Sequence, residues 1–296
     1  MENVRRKLKV DQYYKKGIDG RQITIAVLDT GVARHYDLNG QVIAFRDFIG
    51  KRKNRYDDNG HGTHICGILA GRGALYRRYR GIAPRSQLVV GKVLDDMGNG
   101  KIEDVIRGIH WIIDQKEQYN IRLLNISIGN SGNPREKNEE RLIQAVEDAW
   151  NQGIIVVVAA GNKGPRPGTI TIPGVSKKVI TVGALDTRNS TKGEEQQLLS
   201  YSGCGPTWEC IVKPEIVTFG DKIISCGNYR NGYVAKSGTS MATPIVTGCI
   251  ALLLQKHPNL TNKEVKEILK KTSVKLEGDK LRQGWGALSL ENIMNV

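Results

Sequence analysis

Three residues far apart in the chain combine into one chemistry: Asp29 in A-V-L-D-T-G, His61 in N-G-H-G-T-H and Ser240 in S-G-T-S-M-A-T-P. A serine hydroxyl is a weak nucleophile near neutral pH and attacks a carbonyl only when a neighbouring base takes its proton. His61 stands between two glycines at the start of a stretch, Gly62 to Gly71, that can form a helix, so its imidazole sits at the end of an element and not on a mobile loop. Asp29 closes the apolar run I-T-I-A-V-L, where an unpaired carboxylate is costly. An imidazole N–H opposite that carboxylate removes the cost, fixes the histidine tautomer and stabilises the imidazolium as it forms.

The elements that must position these groups are readable from periodicity. Short β-branched runs at Ile23 to Leu28, Gln87 to Val93, Leu123 to Ile128, Ile154 to Ala159 and Val179 to Val182 predict buried strands. Between them Ile102, Val105, Ile106, Ile109 and Ile113 recur at helical spacing, as do Leu142, Ile143, Val146 and Trp150, with Gly153 where that second helix should stop. Thr261 three residues before Glu264 has the spacing of a capping box ahead of Val265, Ile268 and Leu269. Met241 to Gln255 predicts a helix apolar nearly all round, hence central, with Pro244 near its first turn. Ser240 then stands at a helix N-terminus, where free N–H groups favour developing negative charge. Strand and helix alternate throughout, which predicts an α/β fold of three layers: a mostly parallel sheet with helices on both faces. No linker, repeat or low-complexity tract interrupts the pattern, so residues 1–296 are read as one domain with 1–21 as a lead-in.

Composition narrows the functional classes. The 296 residues are 39% hydrophobic, enough for one large core. No 18-residue apolar stretch and no apolar leader segment occur, so neither a membrane span nor a signal peptide is expected. The net charge of +14 includes the basic runs Lys51 to Arg55 and Arg77 to Arg80. No stacking motif or recognition helix accompanies them, so a solvated basic surface is expected and nucleic acid is not. Five cysteines cannot all pair internally, and no C-x-x-C is present. They read as free thiols of a cytoplasmic protein, although Cys204 and Cys210 are close enough in sequence to bridge if oxidised.

From about Gln22 to Ala251 the chain resembles the subtilisin-like serine proteases, and the resemblance rests on the D-T-G, H-G-T-H and S-G-T-S-M-A runs together with V-V-V-A-A-G-N. It implies a serine endopeptidase with Asp29, His61 and Ser240 as the catalytic triad and Asn162 as the side-chain donor of the oxyanion hole. His64 is implied to be structural. Substrate is implied to add as a strand between Gly98-Asn99-Gly100 and Ser127-Ile128-Gly129. By the same carry-over Ala159, Ala160 and Gly161 wall the pocket for the residue before the cut (P1), and Leu94 and Ile102 line apolar subsites upstream. Thr171 falls where many members of the family have a glycine at the floor of the P1 pocket, which implies a preference for medium apolar P1 residues such as Leu or Met over large aromatics.

Two features depart from the family. Secreted members often carry a calcium loop after the histidine helix; here Gly71 to Gly81 holds four arginines and no carboxylate or amide side chain, a poor setting for a hard cation. No metal ligands, no required cofactor and no calcium at that loop are therefore expected. Asp29 also lies too near Met1 for an inhibitory pro-region within the chain, so either the enzyme folds unaided or the sequence is that of a mature form; the missing leader, the free thiols and the G-P-R-P-G-T-I stretch after Asn162 favour a cytoplasmic branch whose partners are protein or peptide substrates. Three rivals remain. An aspartic protease also uses D-T-G but needs two such carboxylates, and no second D-T-G or D-S-G occurs. A metal hydrolase would use His61, His64, Asp57 and Asp58, although H-E-x-x-H is absent. A catalytically silent scaffold would keep the fold without the reaction.

Overall fold

The computed structural model describes residues 1–50, 52–130, 132–133, 135–185 and 199–296. Lys51 of the first basic run lies outside them. Strands β1 (Thr24–Asp29), β2 (Val42–Asp47), β3 (Gln87–Lys92), β4 (Ile121–Ile126), β5 (Ile155–Ala159), β6 (Ile180–Leu185) and β7 (Ile216–Phe219) form one sheet in the order β2-β3-β1-β4-β5-β6-β7. Every pairing in it is parallel. A parallel sheet covered on both faces requires apolar residues on both sides of each strand, and β1 and β5 are buried along their whole length. A separate antiparallel hairpin pairs β8 (Ile223–Cys226) with β9 (Tyr233–Lys236).

Helices in chain order are α1 (Glu2–Lys7), α2 (Asp11–Tyr14), α3 (His61–Ala70), α4 (Ile102–Asp114), α5 (Lys116–Tyr119), α6 (Lys137–Asn151), α7 (Thr239–Lys256), α8 (Asn262–Thr272), α9 (Lys280–Gln283) and α10 (Leu290–Met294). On one face of the sheet α7 packs on β4 to β7 and against α3, which itself touches β1; on the other face α4 and α6 pack together, against β1 and β5. The expected central helix is α7, buried over nearly all its residues. The capping box of α8 is present, with both Thr261 and Glu264 bonding the opposite backbone. Gly153 ends α6 in the left-handed region, φ +83°.

Several boundaries differ from the sequence reading for physical reasons. β4 ends at Ile126, so Ser127-Ile128-Gly129 leave the ladder and are free to pair with something else. Pro244 lies in the second turn of α7, not the first, so it does remove one helical bond, the one Ser240's carbonyl would have received. β2, β7, β8 and β9 were not anticipated. β2 is a partly exposed edge strand, and the other three are four residues long, too short for periodicity to register.

Parallel pairing brings the strands' carboxyl ends to one edge: Asp29 sits beside Lys92, and Leu28 beside Ile126, which pairs with Val158. From β1 the chain goes to the edge strand β2, returns to β3 beside β1 and, after α4, runs outward on the other side through β4 to β7. Ligands bind at such a reversal in open α/β sheets. Two glycines let α3 reach that edge. A Cβ on Gly62 would fall on the carbonyl oxygen of Gly31, and a Cβ on Gly31 would fall on that of Tyr56. Gly62→Ala is expected to destabilise the protein by about 1–3 kcal/mol, the usual cost of overpacking, measured by urea unfolding; an unchanged midpoint would refute this close approach.

Candidate active site

Asp29, the last residue of β1, has no exposed surface. Its Oδ1 accepts the Nδ1–H of His61 at 2.8 Å and the backbone N–H of Thr30 at 2.7 Å. His61 is the first residue of α3. Burial opposes a charge on this imidazole, but the Asp29 carboxylate outweighs it and holds His61 above its ordinary pKa. The ring is thus oriented with Nε2 free to act as a base.

The start of α3 is fixed by Asp57, whose role the sequence did not disclose. Its Oδ1 accepts from the Gly60 N–H (2.8 Å), the Asn59 N–H (3.2 Å) and the Thr30 hydroxyl (2.9 Å). Its Oδ2 accepts from the N–H (2.8 Å) and hydroxyl (2.6 Å) of Thr63. The Thr30 hydroxyl oxygen in turn accepts the Gly62 N–H at 2.9 Å. The turn after Asp29 and the first turn of the His61 helix therefore share one hydrogen-bond network. Lys92, nearly inaccessible, completes it by donating to the carbonyls of Thr30 and Leu94 (both 2.8 Å) and to Asp58 (2.6 Å).

These assignments separate the residues of the metal-hydrolase rival. Asp57 is saturated by the α3 turn, Asp58 pairs with Lys92, and His64 Nε2 meets the carbonyls of Ile223 (3.0 Å) and Val234 (3.1 Å). Burial lowers the His64 pKa to about 3, so it is a neutral structural donor. Among the described residues one cluster has metal-ligand proximity, His35, Asp37 and Cys226. Its carboxylate already accepts from the N–H groups of Ala74 and Leu75 and from the Tyr233 hydroxyl.

Ser240 lies in the first turn of α7, half-buried. Just before it, Thr239 holds Asn162: the carboxamide Oδ1 accepts both the Thr239 N–H (3.0 Å) and the Thr239 hydroxyl (3.1 Å). With Oδ1 so engaged, the Asn162 NH₂ is left to donate elsewhere. The Thr239 oxygen also accepts the Gly161 N–H at 3.2 Å. Thr239 was missed by sequence reasoning because it reads as one more letter of the serine motif.

His61, Asn162 and Ser240 line one cleft of ≈ 530 Å³. Of the expected substrate contacts, Leu94, Gly98, Ser127, Ile128, Gly129, Ala159, Gly161 and Thr171 line it as well. Asn99, Gly100 and Ile102 line an adjoining cavity of ≈ 250 Å³ that shares Leu94, Gly98, Ile128 and Gly129 with the cleft. Ala160 is a correction. It has no exposed surface and belongs to the hydrophobic core, because alternate residues of an extended segment face opposite sides. Thr171 fills the gap between two strand ends: Cβ atoms on either Gly129 or Gly161 would collide with its side chain. Met97 and Lys163 also line the cleft and were not expected. Cys204 and Cys210 do not bridge; all five cysteines are free.

Residues 20–286 match the model of the Subtilase family, Peptidase S8. The chain is 42% identical to the serine protease AprX of Bacillus subtilis (strain 168), over 93% of this chain and 66% of AprX, so it spans just under two thirds of that relative's length. It is 32% identical to subtilisin DY of Bacillus licheniformis, covering 96% of this chain and 95% of that protein. Among solved structures, Sphericase superposes with a TM-score of 0.80 at 32% identity, covering 91% of each chain. The chain belongs to the subtilase family, and its domain is that of a serine endopeptidase.

The raised His61 pKa has a measurable sign. The NMR titration midpoint of His61 is expected above 6.5, with activity lost as pH falls through it. In Asp29→Asn the larger of the two attractive charges is removed, leaving Asp57 against burial and Lys236, so the midpoint should move below that of the parent. A midpoint unmoved by the substitution would remove Asp29 as the cause.

Proposed function

We propose that this chain cleaves internal peptide bonds of proteins and peptides through an acyl-enzyme. Ser240 attacks the carbonyl as His61 takes its proton; His61 then returns the proton to the leaving amine, and water hydrolyses the ester by the reverse route. Asp29 orients His61 and stabilises its charge. The Asn162 NH₂ and the Ser240 backbone N–H meet the oxyanion. The observation that carries this reading is the 2.8 Å Asp29–His61 bond opening onto the same cleft as Ser240 and the oriented carboxamide of Asn162. Substrate pairs as an added strand with Gly98 to Gly100 and Ser127 to Gly129.

Thr171 between Gly129 and Gly161 supports a shallow P1 pocket, suited to Leu or Met. The free thiols, four of them buried, suit a reducing compartment such as the cytoplasm. No helix of the described residues is long and apolar enough to cross a membrane.

No calcium is needed at the Gly71–Gly81 loop. Calcium takes six to eight oxygen ligands, and the carbonyls here are already engaged by a cation of the protein. The buried Arg5 guanidinium of α1 donates to the carbonyls of Arg80 (2.6 Å), Arg77 (3.0 Å) and Arg78 (3.3 Å). The donor set does not fit the metal.

Hydrolysis of an Ala-Ala-Pro-Leu anilide, lost in Ser240→Ala, tests the reaction; a folded parent without turnover would instead be a silent scaffold. On this reading Leu outpaces Phe at P1 and Thr171→Gly raises Phe relative to Leu, whereas Phe faster than Leu tenfold in the parent would refute the shallow pocket. A chelator should leave the thermal midpoint unchanged, while Arg5→Ala should cost about 1–3 kcal/mol through loss of its hydrogen bonds to three part-buried carbonyls. A chelator-reversible gain in stability on adding calcium, still present in the parent loop, would contradict the Arg5 assignment.

A further inference from the structure

Outside the cleft, one face of the molecule gathers arginines without gathering acids. Three loops meet there: residues 33–36 after β1, 72–80 after α3, and 227–232 between β8 and β9. Asp37, buried beneath them, binds the second loop through the N–H groups of Ala74 (2.7 Å) and Leu75 (3.2 Å), and β9 through the Tyr233 hydroxyl (2.6 Å). The first loop joins the third: the Tyr36 N–H donates to Asn231 Oδ1 at 2.7 Å, and His35 Nε2 meets the Gly232 carbonyl at 3.1 Å.

What this frame presents outward is cationic. Arg34, Arg72, Arg77, Arg78 and Arg230 are exposed, and none has an ion pair among the described residues. Tyrosine rings support two of them. The Arg78 guanidinium lies 4.8 Å from the Tyr79 ring and 5.5 Å from the Tyr76 ring, and that of Arg230 lies 5.0 Å from the Tyr229 ring. Tyr76 and Tyr79 pack in turn on Tyr233. A guanidinium already held over a ring loses little further freedom when its N–H fork takes a carboxylate. The neighbouring acids do not cancel the charge. Asp57 is saturated by the α3 turn, Asp58 pairs with Lys92, Asp11 pairs with Arg5, and Asp221 is buried and accepts the Ser237 hydroxyl. Glu2 shares a cavity of ≈ 210 Å³ with Arg78, but Lys222, itself without an ion pair among the described residues, lines it too.

This surface runs up to the catalytic edge. A Cβ on Gly60 would lie 2.9 Å from Asn228 Oδ1, and the Asn228 carboxamide donates to the Asp57 carbonyl at 3.1 Å, so the loop that bears Tyr229 and Arg230 abuts the residue before His61. Residues 98–100 and 127–129 take up the chain before the cut. The chain after it, whose new amine His61 protonates, has the arginine face to cross. We propose that the loops 72–80 and 227–232 form an exosite for an acidic segment of the protein substrate downstream of the scissile bond, with Arg77, Arg78 and Arg230 pairing its carboxylates. This deepens the endopeptidase reading and rests on it. A single-stranded nucleic acid would use the tyrosines as stacking platforms, but Tyr76, Tyr79 and Tyr229 already carry guanidinium groups. Exposed ion pairs are individually weak; several acting on one segment should lower KM about tenfold and leave kcat unchanged, because the contacts are the same before and during the reaction.

The test uses internally quenched peptides that share one cleavage sequence and differ in the tail: Glu-rich after the cut, Gln-rich after the cut, or Glu-rich before it. All are assayed on the same preparation, so their ratios are independent of the folded fraction. The downstream Glu tail should raise kcat/KM about tenfold over the Gln tail, through KM, and the gain should shrink in about 1 M salt. Arg77→Glu with Arg230→Glu should take that ratio below one, and Arg77→Gln with Arg230→Gln should bring it toward one; either pair suffices if the other does not fold. A parent ratio near one, a ratio untouched by both pairs, or an upstream Glu tail as effective as the downstream one overturns the exosite alone. Tighter binding of a single-stranded oligonucleotide than of the Glu-rich peptide by Ser240→Ala overturns it in favour of nucleic acid. No turnover of any of the three peptides overturns the endopeptidase reading and this inference with it.

Discussion

A carboxylate with no exposed surface needs a partner, and the structure supplies Asp29 with His61 from a different element. Oδ1 also accepts the Thr30 N–H and Oδ2 has no hydrogen-bond donor among the described residues, so among those residues the imidazole is the side-chain partner on which the burial of this charge depends. The constraint is reciprocal. Asp29 fixes the tautomer and raises the basicity of His61, while the need to pair Asp29 dictates that α3 begin within reach of the end of β1. The glycines at 31 and 62 permit that approach, and Asp57 binds the turn after Asp29 and the first turn of α3 into one network.

The rest of the molecule brings two further groups to the same edge. β5 delivers Asn162 just beyond its carboxyl end, and α7, buried beneath β4 to β7, delivers Ser240 at its start. Thr239 joins them, since it belongs to the helix but bonds the strand-end asparagine. Catalytic geometry is thus set by elements of the core. Thr171 and Lys163, which also line the cleft, lie in the segment between β5 and β6.

Much of this was legible in the sequence because it is local. Buried parallel strands write themselves as apolar runs, α4 and α6 as stripes, and α8 as a Thr–Glu cap. The triad and Asn162 were visible because each lies in a run whose neighbours have a mechanical reason to be there: Gly62 for close approach, Thr239 for the carboxamide. What escaped was relational. Asp57, which entered the sequence reading only through the metal-hydrolase rival, has five donors, and Lys92, on which the sequence offered no reading, has three acceptors. Arg5 reaches carbonyls 72 to 75 residues away, a contact with no local signature, although the lack of carboxylates in the Gly71–Gly81 loop already argued against a hard cation. Ala160 was misassigned because adjacency to Gly161 says nothing about which side of an extended segment a residue faces.

The account's central claim is that His61, held by Asp29, activates one particular hydroxyl. Mass-spectrometric mapping of the adduct formed by a fluorophosphonate probe tests it most directly. A single phosphonyl group on Ser240, formed more slowly below the His61 pKa and suppressed in Asp29→Asn, is the predicted result. A folded protein that forms no adduct, or one labelled at another residue with Ser240 unmodified, would contradict it.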